Sequence, residues 1–103
     1  MAPNFRVRLT RQALSDLEEI FDFISKDSPQ NAASMIERIF DSIDLLEIFP
    51  HRTVVERQAS ALKYPVRSLP VKPYVIYFRV IENEGIVVVR HIRHGSREKP
   101  ETV

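Results

Sequence analysis

Cysteine is absent from the 103 residues, so neither a disulfide nor a thiolate nucleophile is open to this chain. Glycine occurs only at Gly85 and Gly95, and two isolated glycines cannot form a phosphate-cradling loop. No Gly-x-Ser-x-Gly turn is present to expose a serine nucleophile. No apolar run approaches the roughly 20 residues that cross a bilayer. The opening MAPNFRVRLT lacks the apolar core of a secretory signal. These absences predict a cytoplasmic protein with no membrane span, no cofactor and no metal.

What is present fits one domain, predicted over residues 1–98 with a short tail at 99–103. The apolar fraction of 44% is ordinary for a globular chain. Net charge is only +1, but it is unevenly spread. Residues 1–50 carry five Lys/Arg against nine Asp/Glu, and residues 51–103 carry ten against five. An acidic half joined to a basic half predicts two faces with different partners.

The periodicity changes along the chain. NFRVRL alternates, with Phe5, Val7 and Leu9 on one side and Arg6 and Arg8 on the other, as a half-buried strand does. Thr10 suits a helix N-cap. Ala13, Leu14, Leu17, Ile20, Phe21 and Ile24 then form a helical stripe, with Asp16, Glu18, Glu19 and Asp22 expected on the solvated side. That helix should end near Lys26. Ser28 and Pro29 restart the chain as N-cap and first helical residue. A second stripe runs through Ala32, Met35, Ile36, Ile39, Phe40, Ile43 and Leu46 until Pro50 ends it. Residues 51–63 read as a loop with room for a short strand or helical turn. Three strands follow: an irregular YPVRSLPV, the aromatic YVIYFRV, and IVVVRHIR after an ENEG turn. The predicted fold is α+β, of order β-α-α-β-β-β. An N-terminal strand precedes an antiparallel two-helix hairpin, which packs on one face of a small antiparallel sheet. Basic residues should gather on the other face.

The chemistry is concentrated at the end of the last strand, where Arg90 to Arg97 holds three arginines and two histidines. His91 and His94 are three apart, and on a strand such positions face opposite ways. They cannot share a metal there without a bulge. His94 and Ser96, two apart near the terminus, read as a turn rather than part of a triad. Three uses remain for the wider set of Arg67, Lys72, Arg79, Arg90, His91, Arg93, His94, Arg97 and Lys99. They can grip phosphates with a histidine as general acid or base, dock on an acidic or nucleic-acid-bound partner, or simply form a solvated strand end. Tyr74 and Tyr77 read as packing residues rather than stacking platforms.

Four segments in order carry a family resemblance: LTRQALSDLEEIFDFI, FPH, VRSLPVKPYVIYFRV and IRHGSRE. Within them, A-x-x-D-L-E-E-I, R-S-L-P-V-x-x-Y-V-I-Y-F-R-V and H-G-x-R-E are the specific parts. Over about residues 5–98 the chain resembles the ParE branch of the ParE/RelE toxin superfamily, the toxins of type II toxin–antitoxin systems, also called plasmid stabilisation proteins. The resemblance implies a toxin that binds and blocks DNA gyrase. A cognate antitoxin, ParD-like with a ribbon-helix-helix domain, would hold it silent and make most of the operator DNA contact. The RelE-like branch instead cleaves messenger RNA in the ribosome. The LPV…YVIYFRV strand, the H-G-x-R-E ending and the mild net charge favour ParE. His91 departs from the pattern, since similar sequences often carry arginine there. On this reading Arg67, Arg79, Arg93, His94 and Arg97 are the target contacts, and Leu17, Phe21, Ile36 and Phe40 the antitoxin contacts. The alternatives are a ribosome-dependent mRNA endoribonuclease, using Arg67, His91 and His94, or a non-toxic protein-binding relative.

Overall fold

In the computed structural model, which describes residues 4–56 and 65–96, the chain runs as follows. Strand β1 (Arg6–Leu9) leads to helices α1 (Arg11–Ser25) and α2 (Pro29–Leu45). Strands β2 (Val54–Val55), β3 (Val66–Val71), β4 (Tyr74–Ile81) and β5 (Ile86–His94) complete it. The predicted order is present, with β2 added. Residues Pro50–Arg52 form a 3-10 turn before β2, so the part of the 51–63 stretch that is described supplies both a turn and a strand. Residues 57–64 lie outside the described residues.

Local chemistry sets the helix ends. The Thr10 hydroxyl accepts from the Ala13 amide at 3.1 Å, and Ser28 accepts from the Asn31 amide at 3.1 Å with Pro29 at the first helical position. Helix α1 stops at Ser25 with Lys26 as its cap. Helix α2 stops at Leu45, before Pro50, and its last carbonyls are taken up by tightened turns, Glu47 N–H to Asp44 and Ile48 N–H to Leu45. Gly85 has φ of 66° after the Glu82–Glu84 turn, a left-handed conformation that glycine adopts without steric cost. Among the described residues no helix is long and apolar enough to cross a membrane.

The sheet order is β1-β5-β4-β3-β2. Strands β2 to β5 pair antiparallel, whereas β1 lies parallel to β5. Parallel neighbours need a long crossover, and the whole hairpin and the three intervening strands provide it. Both helices pack on one face. Ala13, Leu17, Ile20, Met35, Ile39, Ile43 and Leu46 meet Val71, Tyr74, Ile76, Phe78, Val87, Val89 and Ile92 in a single core. Each large side chain buried there contributes about 1.5–3 kcal/mol.

Strand β5 departs from simple alternation. Val87 and Val89 point into the core, and strict alternation would send His91 and Arg93 after them. The register instead shifts between Tyr77 and Phe78: Phe78 pairs with Val89 but Tyr77 pairs with His91. Arg90 is therefore a bulge residue. It reverses the parity of the strand, so Ile92, only 3% exposed, enters the core opposite Ile76.

Strand β5 also outruns β1, whose last pair is Leu9 with Val89. Helix α1 takes over that edge. The Thr10 amide donates to the Val89 carbonyl at 3.1 Å and its hydroxyl to the Arg90 carbonyl at 3.1 Å. The Ile92 amide donates to Asp16 Oδ2 at 2.9 Å, and Gln12 Nε2 donates to Asp16 Oδ1 at 2.8 Å. Asp16 is thus buried at 6% exposure and does not belong to the solvated acidic side where the stripe placed it.

Two outcomes follow for stability. Asp16→Ala leaves a buried Ile92 N–H without an acceptor and is expected to destabilise by about 1–3 kcal/mol in urea unfolding. Asp16→Asn, which keeps a carbonyl acceptor, should lose less. Deleting Arg90 removes the extra residue, leaves Val89, Ile92 and His94 on the helix side by plain alternation, and is expected to keep cooperative thermal unfolding by circular dichroism. Arg90→Ala, which keeps the bulge, should retain it too.

Candidate functional site

Cross-strand partners share a face of the sheet, so the register sorts the expected target contacts. Arg79 pairs with Val88, which pairs with Arg8, and Val75 pairs with Arg93. Phe78 and Tyr74 belong to the core on the helix side. Arg79 and Arg93 therefore lie together on the face turned away from the helices. Arg67 and His94 do not join them. Arg67 pairs with Phe78 and its Nη1 donates to the Thr53 carbonyl at 3.1 Å. His94 pairs with Tyr74, whose ring it meets edge-on with centroids 5.6 Å apart. Arg97 lies outside the described residues.

The outer face is electrostatically unbalanced. Burial, and then the charge of nearby Arg90, lower the Arg79 pKa below its ordinary value. The Nε atoms of Arg79 and Arg93 are buried and have no hydrogen-bond partner in the protein. Arg93 Nη2 donates to His91 Nδ1 at 3.2 Å. Among the described residues the ion pair is His51 with Glu82, and no carboxylate pairs with these arginines.

The residues considered for a nuclease are divided. His91 pairs with Tyr77 on the outer face, His94 with Tyr74 on the helix side, and Arg67 is also on the helix side. The bulge at Arg90 precedes both histidines, so the alternation between them is intact. His94 Nδ1 accepts from the Ser96 amide at 3.1 Å with the Ser96 hydroxyl 2.8 Å away, which leaves Nε2 as its outward nitrogen. Among the described residues no three His, Asp or Glu converge as a metal site would require.

The expected antitoxin contacts are brought together. Leu17, Phe21, Ile36 and Phe40 line one groove of about 440 Å³ on the outer side of the helical hairpin, with Leu14, Glu18 and Asp22. Leu14, Phe21 and Phe40 are 49%, 39% and 40% exposed. The cause is the width of each helical stripe. Ala13, Leu17 and Ile20 fill the face toward the sheet, and Leu14 and Phe21 extend the stripe past it. The acidic rim of Glu18 and Asp22 carries no periodic signal of its own.

A second cleft, of about 630 Å³, lies between α1 and the free edge of β5. Gln12, Asp16, Glu19, Tyr74, His94 and Ser96 line it, with Phe23 68% exposed at its rim. Asp16 was not singled out by the sequence, although it stands in the A-x-x-D-L-E-E-I motif. The usable signal is an acid one turn from Ala13 and Ile20, inside the buried stripe.

Comparison with known proteins agrees with this architecture. The family described as ParE toxin of type II toxin–antitoxin system, parDE, matches residues 7–99. The protein Y4kP of Sinorhizobium fredii, named as a candidate toxin, is 33% identical over 86 residues, which is 84% of this chain and 86% of that protein. Among solved structures, the chromosomal ParDE system of P. aeruginosa has a TM-score of 0.70 at 22% identity, over 87% of this chain and 95% of that one. The RelBE2 toxin–antitoxin complex of Mycobacterium tuberculosis has a TM-score of 0.62 at 23% identity, over 88% and 98%. The archaeal RelE–RelB complex of Pyrococcus horikoshii has 0.66 at 13% identity, over 92% and 99%. A chain matched from Val7 onward through the buried stripe, the bulged strand and its basic end belongs to the ParE toxin family of type II toxin–antitoxin systems.

Proposed function

We propose that this toxin acts by binding DNA gyrase, with no bond made or broken by the toxin, and that a cognate antitoxin silences it from the hairpin groove. The observation that carries the reading is the ParE family match across nearly the whole chain. The division of Arg67, His91 and His94 between two faces of the sheet supports binding over messenger RNA cleavage, because a phosphate clamp and an acid–base pair must converge on one scissile bond. Arg79 and Arg93 serve as target contacts on the outer face, with Arg97 beside them in the chain. Arg67 and His94 act from the other side of the sheet. The action takes place in the cytoplasm, where gyrase and the antitoxin are found.

The groove fits the partner named with each solved neighbour, since all three are toxin–antitoxin systems or complexes. Its occupant is an amphipathic segment that orders on binding. Apolar side chains at helical spacing would meet Leu17, Phe21, Ile36 and Phe40, and basic flanks would meet Glu18 and Asp22. The rest of that antitoxin is a ParD-like ribbon-helix-helix domain, which makes the main operator contact.

Gyrase supercoiling and ribosomal translation reactions, run in parallel with the purified protein, test the target. Loss of supercoiling with translation intact is expected. Cleaved message with normal supercoiling would assign the RelE-type activity instead, and no effect on either would leave a non-toxic binding relative. For the groove, Phe21→Ser with Phe40→Ser is expected to weaken antitoxin binding at least tenfold by calorimetry, given about 1.5–3 kcal/mol per buried phenylalanine. The same variant should keep its circular dichroism spectrum, because both rings are partly exposed already.

A further inference from the structure

The outer face of the sheet holds more positive charge than the target contacts named so far. The register places Arg8, Val88 and Arg79 in one row across β1, β5 and β4, and Arg6 beside Ile86 in the next. Arg90 stands in the bulge, near enough for its charge to act on Arg79, and Arg93 follows along β5. Arg6 and Arg8 are exposed, and Arg79, Arg90 and Arg93 are half-buried. Glu84 lines a shallow recess with Arg6 and Arg8 but pairs with neither. Among the described residues, five cations thus share a face with no carboxylate paired to them, and the two buried Nε donors of Arg79 and Arg93 lack acceptors. Like charges so placed repel, and orphan donors cost stability. An external anion relieves both.

The surroundings select the anion. None of the large exposed apolar side chains lies on β1, β4 or β5, and Val54 stands on β2 at the far edge of the sheet, so the arginine strands offer little to the apolar half of an amphipathic protein segment. Tyr77, which pairs with His91 on this face, is 5% exposed, and its ring gives unstacked bases of a single strand no platform. The cations spread across three strands, about 10 Å, and along roughly 20 Å of β5 at strand spacings. That is an area, as a helical polyanion requires, rather than a point for one small anion. Every one of these cations is an arginine, whose planar fork binds phosphate bidentately.

We propose that Arg6, Arg8, Arg79, Arg90 and Arg93 form a face that binds the phosphate backbone of duplex DNA without regard to base sequence. The toxin then brings its own DNA contact, separate from any contact an antitoxin makes. The contact does not depend on gyrase being the target.

Fluorescence anisotropy of the full-length protein with two labelled duplexes of unrelated sequence tests this. Both are expected to bind alike at 50 mM salt. With about four phosphate contacts, affinity should fall about a hundredfold by 200 mM salt. Arg6→Glu with Arg8→Glu is expected to lower affinity at least tenfold with an unchanged circular dichroism spectrum, and Arg6→Lys with Arg8→Lys should retain most of it. Four results would overturn the proposal: no binding at low salt, binding indifferent to the Glu substitutions, tighter binding of single-stranded RNA of equal length, or stronger binding of polyglutamate than of either duplex. Gyrase inhibition by the same preparation is scored separately, so inhibition without binding of naked DNA sinks this face and leaves the gyrase reading standing.

Discussion

Strand β5 is nine residues long and the strand beside it only four, and the unequal lengths must be reconciled. Past Val89 the backbone of β5 has lost its parallel partner, and buried amides and carbonyls without partners are expensive. The first two turns of α1 supply the substitutes. Thr10 answers the carbonyls of Val89 and Arg90, and Asp16 answers the amide of Ile92. The same contacts fix the angle at which α1 lies on the sheet. Thr10 caps the helix with the hydroxyl that reaches β5, so helix start and strand edge are locked by one side chain. The bulge at Arg90 falls within this clasp and gives the end of the strand its parity.

From that clasp the separation of the two surfaces follows. With Ile92 turned inward, His91 and Arg93 are turned outward and join the arginines of β1 and β4. With α1 pinned through Asp16, its wide apolar stripe cannot rotate fully onto the sheet, and Leu14 and Phe21 remain on the hairpin's outer side. The acids of α1 thus rim an apolar groove on one layer, and arginines of β1, β4 and β5 cover the far side of the other. Under the proposed assignments, a segment seated in the groove reaches the sheet arginines only by passing an edge of the sheet. The cleft between α1 and the free edge of β5 is one such route, walled by Glu19, Phe23 and His94.

Much of this was readable from the residues. The helices announce themselves through caps and period, and the alternation of NFRVRL places Arg6 and Arg8 opposite the core. The helical stripes are wider than one small sheet covers, so Phe21 and Phe40 stay partly exposed and line a groove with Leu17 and Ile36. Three features were not readable. The parallel placement of β1 depends on where the chain returns after five further elements, which no local pattern encodes. The bulge is silent because IVVVRHIRH contains no glycine or proline to mark it, and its evidence is that Ile92, not His91, is the residue the core accepts. Asp16 reads as solvated because its neighbours Glu18 and Glu19 are, and only the missing strand partner of Ile92 explains a buried carboxylate.

His91 sharpens the distinction between gripping and cutting. Arginine holds its charge at any cellular pH, whereas a histidine's charge varies across that range, so arginine gives an anion-binding surface a fixed charge. Arg93 Nη2 donates to His91 Nδ1, so the histidine ring is held within the face by one of its arginines. Acid–base chemistry at this strand end would need a second group on the same side, and His94, the obvious one, is turned to Tyr74 and anchored by Ser96. The parity that the bulge imposes therefore puts the fixed charges of Arg79 and Arg93 on the outer face and turns His94 away from them. Such a surface is suited to holding a partner, and the proposed gyrase and DNA contacts both ask only that of it.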